Sequence, residues 1–175
     1  TVIAMRLLLM TAVRPGELCN TLWSEFDLHG SVWRIPACRM KMRRIHIVPL
    51  AQQTVELLKE LKLISGHEEY LFPVQGTKAG TMPIATLRNA INKIGYKDRF
   101  NPHGARGTFS TTLNEKGFRP DVVERQLAHA EKNAVRAAYH HAEYLPEREK
   151  MMQSWADMLD SFQMGAKIIP FEQAA

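Results

Sequence analysis

LWSEFDLHGSVWRIPACRMKMRRIHIVPL, residues 22–50, decides how the rest of the chain is read. Leu22–Phe26, Ser31–Pro36 and Ile45–Leu50 are short apolar or alternating runs, each the length of a strand. Asp27–Gly30 and Cys38–Arg44 are the turns between them, so the stretch predicts a small three-stranded antiparallel sheet. Its second turn, Arg39-Met-Lys41-Met-Arg43-Arg44, holds four cations in six positions. Outward in both directions the period becomes helical. Residues 2–12 carry apolar side chains on more than one face, which predicts a buried helix, and Pro15 suits the first turn of a short helix over Pro15–Thr21. After the sheet, Val55, Leu57, Leu58, Leu61 and Ile64 mark one amphipathic helix, stopped near Gly66. Tyr70–Pro73 is extended, Gly76–Gly80 is a polar loop, and Pro83–Ile94 is helical. Further helices are predicted at about 104–116, 120–128, 132–139 and 146–162. The fold class is mostly α with a small three-stranded antiparallel sheet.

At 175 residues, with 45% apolar and 23% charged residues, the chain is the size of one ordinary soluble domain with a full core. No window is apolar for long enough to span a membrane. The opening TVIAMRLLLMTA lacks a basic leader and is cut by Arg6, so it reads as a core helix of a longer protein rather than a signal peptide. Cys19 and Cys38 make no disulfide framework, and Cys38 is read as inert; the pair fits a reducing cytoplasm. The net charge is +5, of which residues 1–50 supply +4, from seven Lys/Arg against three Asp/Glu. That basic excess points to an anionic partner, with nucleic acid first among candidates. Nucleotide-cradling, zinc-protease and serine-hydrolase motifs are absent. His140-His141 are adjacent and cannot share a metal face on a helix, so neither metal nor cofactor is implied. Met151-Met152 and most other methionines read as core filling.

Thr11-Ala-Val-Arg14-Pro-Gly-Glu17 (T-x-x-R-x-G-E), Lys41 in the turn before Ile47-Val-Pro-Leu50, His103-x-x-Arg106, Leu127-Ala-His129 and Ala138-Tyr139 are each bland alone: Arg14 could merely pair with Glu17, and a lone histidine is usually structural. In this order they resemble the catalytic domain of the tyrosine recombinase (phage integrase) family, over about residues 1–160, and the detail is most similar to integrases of prophages and genomic islands. The resemblance implies the α+β catalytic-domain fold of that family in residues 1–162, followed by a tail, 163–175, whose apolar Ile168-Ile-Pro-Phe171 packs either in cis or on a neighbouring subunit. Family members usually carry N-terminal arm-binding and core-binding domains, and the resemblance places neither within these residues.

The resemblance further implies a site-specific recombinase that cleaves and rejoins DNA through a 3′-phosphotyrosine, integrating or excising a mobile element. Tyr139 would be the nucleophile, a covalent store that keeps the phosphodiester bond for rejoining. Arg14 and Arg106 would neutralise the two non-bridging oxygens in the transition state, where loss of one such clamp costs on the order of 3 kcal/mol. Lys41 would protonate the departing 5′ oxygen, a task for which Arg39 and Arg43 are poor candidates because guanidinium stays charged. His103 would take the tyrosine proton and return it, His129 would donate a hydrogen bond to the phosphate, and Glu17 would hold the site in shape. Arg39, Arg43 and Arg44 are candidate DNA contacts. Tyr139 follows His129 at a spacing one residue longer than is usual in the family, which makes Tyr144 a rival nucleophile, and Ile45 stands where the subgroup often has proline. The implied partners are double-stranded DNA at attachment sites, a homotetramer on that DNA from a monomer in isolation, and accessory DNA-bending proteins, without a membrane, in the cytoplasm of a bacterial host. A type IB topoisomerase and a catalytically inactive DNA-binding relative are the alternatives.

Overall fold

The computed structural model describes residues 1–76, 80–129 and 143–165. Helix α1 (Val2–Thr11) runs through the middle, burying Ala4, Leu7, Leu8 and Met10. It packs against four further helices: α2 (Pro15–Cys19), α3 (Gln52–Ser65), α5 (Gly104–Glu115) and α7 (Leu145–Gln163). Apolar residues on more than one face are what a helix so surrounded requires. The remaining α-helices among the described residues are α4 (Ile84–Ile91) and α6 (Pro120–Gln126). Among the described residues, no helix is long and apolar enough to cross a membrane.

The sheet is three-stranded and antiparallel in the order β1-β2-β3, formed by Phe26–Asp27, Val32–Ile35 and His46–Pro49. Trp33 faces Phe26 on one side and Val48 on the other, and Ile35 faces His46. In β2 the pleat puts Trp33 and Ile35 in the core and Arg34 in solvent. The second and third strands lie inside their expected limits. The first is a correction: of Leu22–Phe26, only Phe26 joins the sheet, because Trp23–Glu25 winds into a 3₁₀ turn. The donors here are satisfied elsewhere. Leu22 bridges to Tyr70, the Trp23 amide donates to the Glu69 carbonyl, and its indole Nε1 donates to the Ser65 carbonyl at 2.8 Å. Tyr70–Pro73 is therefore tied to the entrance of the sheet.

Other expectations shift for local reasons. Ile64, expected on the buried face of α3, is 65% exposed. The face continues from Leu58 and Leu61 to Ser65, whose hydroxyl donates to the Leu71 carbonyl at 2.9 Å. The helix expected over Pro83–Ile94 closes at Ile91 and widens into a π-type turn over Asn92–Tyr96, where Gly95 adopts φ 88°. The helix expected over 120–128 ends at Gln126, because Ala128 turns left-handed at φ 50°.

Two apolar clusters flank α1. One gathers Leu7, Leu8, Trp33, Ile35, Leu58, Leu71 and Leu87. The other holds Phe109, Leu113, Val122, Val123, Met151, Met152 and Trp155, so this methionine pair does fill core. Trp155 meets Phe109 edge-on at 5.4 Å and donates its Nε1 to the Leu9 carbonyl, locking α7 onto α1. The helix expected at 132–139 and the apolar segment Ile168–Phe171 lie outside the described residues.

Candidate active site

The site is built on two alanines in left-handed conformation. Ala12 ends α1 at φ 52°, returning its amide to the Leu8 carbonyl, and Ala128 ends the turn after α6 at φ 50°. Such conformations are uncommon for residues with a Cβ. Each turns the chain sharply, so that the carbonyls of Ala12, Leu127 and Ala128 become acceptors for guanidinium groups. Arg106, from the first turn of α5, donates Nη1 to the Ala12 carbonyl and Nη2 to the Leu127 carbonyl, both at 2.6 Å. Arg14 donates Nη2 to the Ala128 carbonyl at 3.1 Å. The two arginines thus rest on successive carbonyls at the C-terminal end of α6, where the helix dipole favours cations.

Arg14 also meets Glu17 twice: Nη1 donates to Oε1 at 2.7 Å and the backbone amide to Oε2 at 2.9 Å. Glu17 therefore caps α2 and orients Arg14 with one carboxylate. Arg106 is 7% exposed. Burial first, and the neighbouring Arg14 second, pull its pKa down to about 10, so it remains a cation at neutral pH. Two cations with one buried carboxylate make a site complementary to an anion.

His129 joins them. Its Nε2 lies 3.1 Å from Arg106 Nη2 and its Nδ1 lies 2.6 Å from Glu124 Oε2. His103 sits one residue ahead of α5, exposed, while Arg106 one turn on is buried. It lines an open groove of about 950 Å³ together with Pro15, Gly16, Arg88, Lys97 and Arg99. Lys41 is exposed on the β2–β3 connection, and among the described residues no hydrogen bond or ion pair joins it to the arginine pair. Tyr139, like His140 and His141, lies outside the described residues. Tyr144 precedes α7 at φ 48° with its ring under the Arg119 guanidinium, 5.0 Å from the centroid.

The basic turn divides. Arg43 and Arg44 are exposed, whereas Arg39 is partly buried and held by internal partners. It pairs with Glu25 and donates to the Glu17 carbonyl, while Glu25 also accepts the Trp33 indole at 2.9 Å. A carboxylate that is 8% exposed needs such a partner. Cys38 is exposed, whereas Cys19 is buried and its thiol is pushed up to about 11. No three His, Cys, Asp or Glu side chains among the described residues are grouped to hold a metal ion.

A buried polar chain behind the site carries residues that sequence reasoning passed over. Arg148, fully buried, donates Nε and Nη2 to Gln126 Oε1 at 3.1 and 2.8 Å, Nη1 to the Glu143 carbonyl at 3.3 Å, and Nη2 to the Ile47 carbonyl. Gln126 passes the chain on, donating to the Thr11 carbonyl at 3.2 Å. Arg148 thereby ties α7 to β3, to α6 and, through Gln126, to the turn that carries Arg14. The available signal was periodicity, since 148 continues the buried positions 151, 152 and 155 of α7. His46, 5% exposed in β3, is held neutral: burial first, then Arg148, lower its pKa to about 3.

Residues 1–145 match the Phage integrase family. The chain is 41% identical over 161 residues to prophage integrase IntA of Escherichia coli (strain K12), covering 92% of this chain and 39% of the relative. It is 45% identical over 176 residues to the integrase of Enterobacteria phage P4, covering 91% of this chain and 40% of that protein. It thus spans about two fifths of the length of these relatives. Among solved structures, the integrase from mycobacterium phage Brujita superposes with a TM-score of 0.69 at 17% identity, covering 99% of this chain and 53% of its own. The XerH site-specific recombinase bound to difH substrate gives 0.60 at 25% identity, over 83% of this chain and 44% of that one.

Proposed function

Because the chain belongs to the phage integrase family, we propose that it is the catalytic part of a site-specific tyrosine recombinase that cuts and rejoins DNA through a 3′-phosphotyrosine. The observation that carries this reading is the arginine pair on successive carbonyls, facing one carboxylate. That arrangement suits the two non-bridging oxygens of a phosphodiester as it passes through a pentacovalent transition state. In the cleavage step the Tyr139 hydroxyl gives its proton to His103 and its oxygen bonds to phosphorus. The bond from phosphorus to the 5′ oxygen breaks, and Lys41 protonates that leaving group. Rejoining reverses each transfer, and His129 donates to a phosphate oxygen in both directions.

Double-stranded DNA is the proposed substrate. The XerH recombinase is bound to difH substrate, and an integrase of transposon Tn1549 of the same fold is in complex with circular intermediate DNA. Arg43, Arg44 and the groove cations Arg88, Lys97 and Arg99 are the exposed charges suited to its backbone. The relatives named above are integrases rather than topoisomerases, which favours exchange between paired sites on a homotetramer, in the cytoplasm of a bacterial host, over simple relaxation of supercoils. The Tyr144 position beneath Arg119 supports Tyr139 as the nucleophile.

The test is to incubate the chain with supercoiled DNA in EDTA, quench with detergent and look for protein covalently bound to DNA. An adduct lost with Tyr139→Phe and kept with Tyr144→Phe is expected. An adduct that survives Tyr139→Phe overturns the assignment of the nucleophile, and failure of the full-length protein on its own site to form one overturns the enzyme reading.

A further inference from the structure

We propose that Glu124 is a positioning residue for His129: it sets which ring nitrogen carries the proton, and it supports the charged imidazole that a phosphate ligand needs. The proposal rests on the recombinase reading for the phosphate and on the geometry alone for the tautomer. A guanidinium can only donate and an ionised carboxylate can only accept. With Arg106 Nη2 at 3.1 Å from Nε2, that nitrogen must be an unprotonated acceptor. With Glu124 Oε2 at 2.6 Å from Nδ1, the proton must lie on Nδ1. The two contacts demand the same neutral tautomer.

Residues five apart lie far round an α-helix from one another and would not meet. They meet here because Ala128, left-handed at φ 50°, folds the chain back over the end of α6, and the His129 amide donates to the Glu124 carbonyl at 3.1 Å. The same turn aims the Leu127 and Ala128 carbonyls at Arg106 and Arg14. One strained residue therefore aligns both arginines and the histidine, and Glu124 completes the arrangement from the other side of the ring. Among the described residues, Arg106 and Glu124 are the charged groups that touch the imidazole.

The consequence concerns how His129 serves a phosphate. To donate from Nε2 it must take up a proton there. If Nδ1–H stays on Glu124, the ring becomes an imidazolium with Glu124 as its counter-ion, taking the extra proton from solvent. If Glu124 is lost, the ring can instead exchange its proton to Nε2 and turn away, because its side chain is 44% exposed. Glu124 thus keeps the ring aimed at the position Arg106 marks.

Long-range ¹H–¹⁵N spectra of ¹⁵N-histidine-labelled protein test this, with the His129 signals identified by their loss in His129→Gln. The wild type is expected to show neutral His129 protonated on Nδ1. Glu124→Gln keeps an acceptor and is expected to keep that tautomer; Glu124→Ala is expected to populate the Nε2–H form. Glu124 is half-exposed in α6, so both variants fold, as circular dichroism will check. In the adduct assay, Glu124→Ala is expected to lower the yield about tenfold, a fraction of the loss of one oxyanion donor, and Glu124→Gln, which keeps the acceptor for Nδ1–H but not the counter-charge, is expected to lower it by less. A wild type protonated on Nε2, a spectrum unchanged by Glu124→Ala, or an undiminished adduct yield in Glu124→Ala overturns the proposal. Absence of any wild-type adduct counts against the recombinase reading instead, and the spectra still decide the role of Glu124.

Discussion

Replacing Arg148 by methionine should cost roughly 3–5 kcal/mol of folding stability, the range for breaking a buried polar pair by removing one partner. Methionine keeps much of the volume and the apolar stem, so the loss isolates the guanidinium. Arg148 is fully buried and makes four donor contacts to Gln126, Ile47 and Glu143, with the Glu143 carboxylate 3.6 Å away. In the variant, Gln126 Oε1 and the Ile47 carbonyl lose these partners inside the protein, at about 1–3 kcal/mol each. Glu143 adds little, because its side chain is 34% exposed and recovers water, and it keeps its second cation, Arg125. Burial already lowers the Arg148 pKa to about 10, so part of the loss is offset by no longer desolvating a cation. The sum falls near the lower half of the range, a large fraction of the roughly 5–15 kcal/mol available to a domain. Urea denaturation followed by circular dichroism measures it. Arg148→Lys, which keeps the charge but loses the fork to Gln126, should fall between the two. Adding Gln126→Leu to Arg148→Met should cost less than the sum of the separate changes, because both remove the same contact. A methionine variant within about 1 kcal/mol of wild type would show that the buried chain is a replaceable filler, and would refute its role in tying α7 to the turn bearing Arg14.

Acid should act through His46. The unfolded chain takes up this proton near 6.5 and the folded protein only near 3, so stability is complete above 6.5 and is lost as the pH falls towards 3. The slope is about 1.4 kcal/mol per unit, giving about 2 kcal/mol lost by pH 5. Denaturation at pH 7 and pH 5 should show that loss in the wild type and a smaller one in His46→Leu. The basic turn should divide on DNA. Arg43→Ala and Arg44→Ala are each expected to flatten the log–log dependence of binding on salt by about 0.9. Arg39→Ala should leave that slope unchanged and lower stability by about 3 kcal/mol by stranding Glu25. A flattened slope with Arg39→Ala would show that this residue meets DNA as well as Glu25.

Local pattern carried most of the architecture. The alternation in Val32–Ile35, the apolar run His46–Pro49 and the 3.6 period of α3, α5 and α7 depend on neighbours in sequence, and a sheet flanked by helices follows from them. The same holds for Arg14 with Glu17, which are three residues apart and meet through the cap of α2. Where the hydrogen bonds run between distant segments, pattern was silent. Trp23 left the expected strand because its partners are Ser65 and Glu69, and the pairing of Arg39 with the buried Glu25 had no local signal.

The residue types of the candidate site and their order were set by the sequence alone, since a clamp for phosphate needs forked cations, a hydrogen-bond donor and a nucleophile whatever the fold. Tertiary structure alone decided what those cations rest on. Arg14 and Arg106 stand 92 residues apart in the chain and converge on carbonyls freed by two left-handed alanines. Nothing in an alanine's side chain announces that conformation. It arises because α1 and α6 must end where α5 and α7 pack, and the backbone groups left over at those ends must find donors.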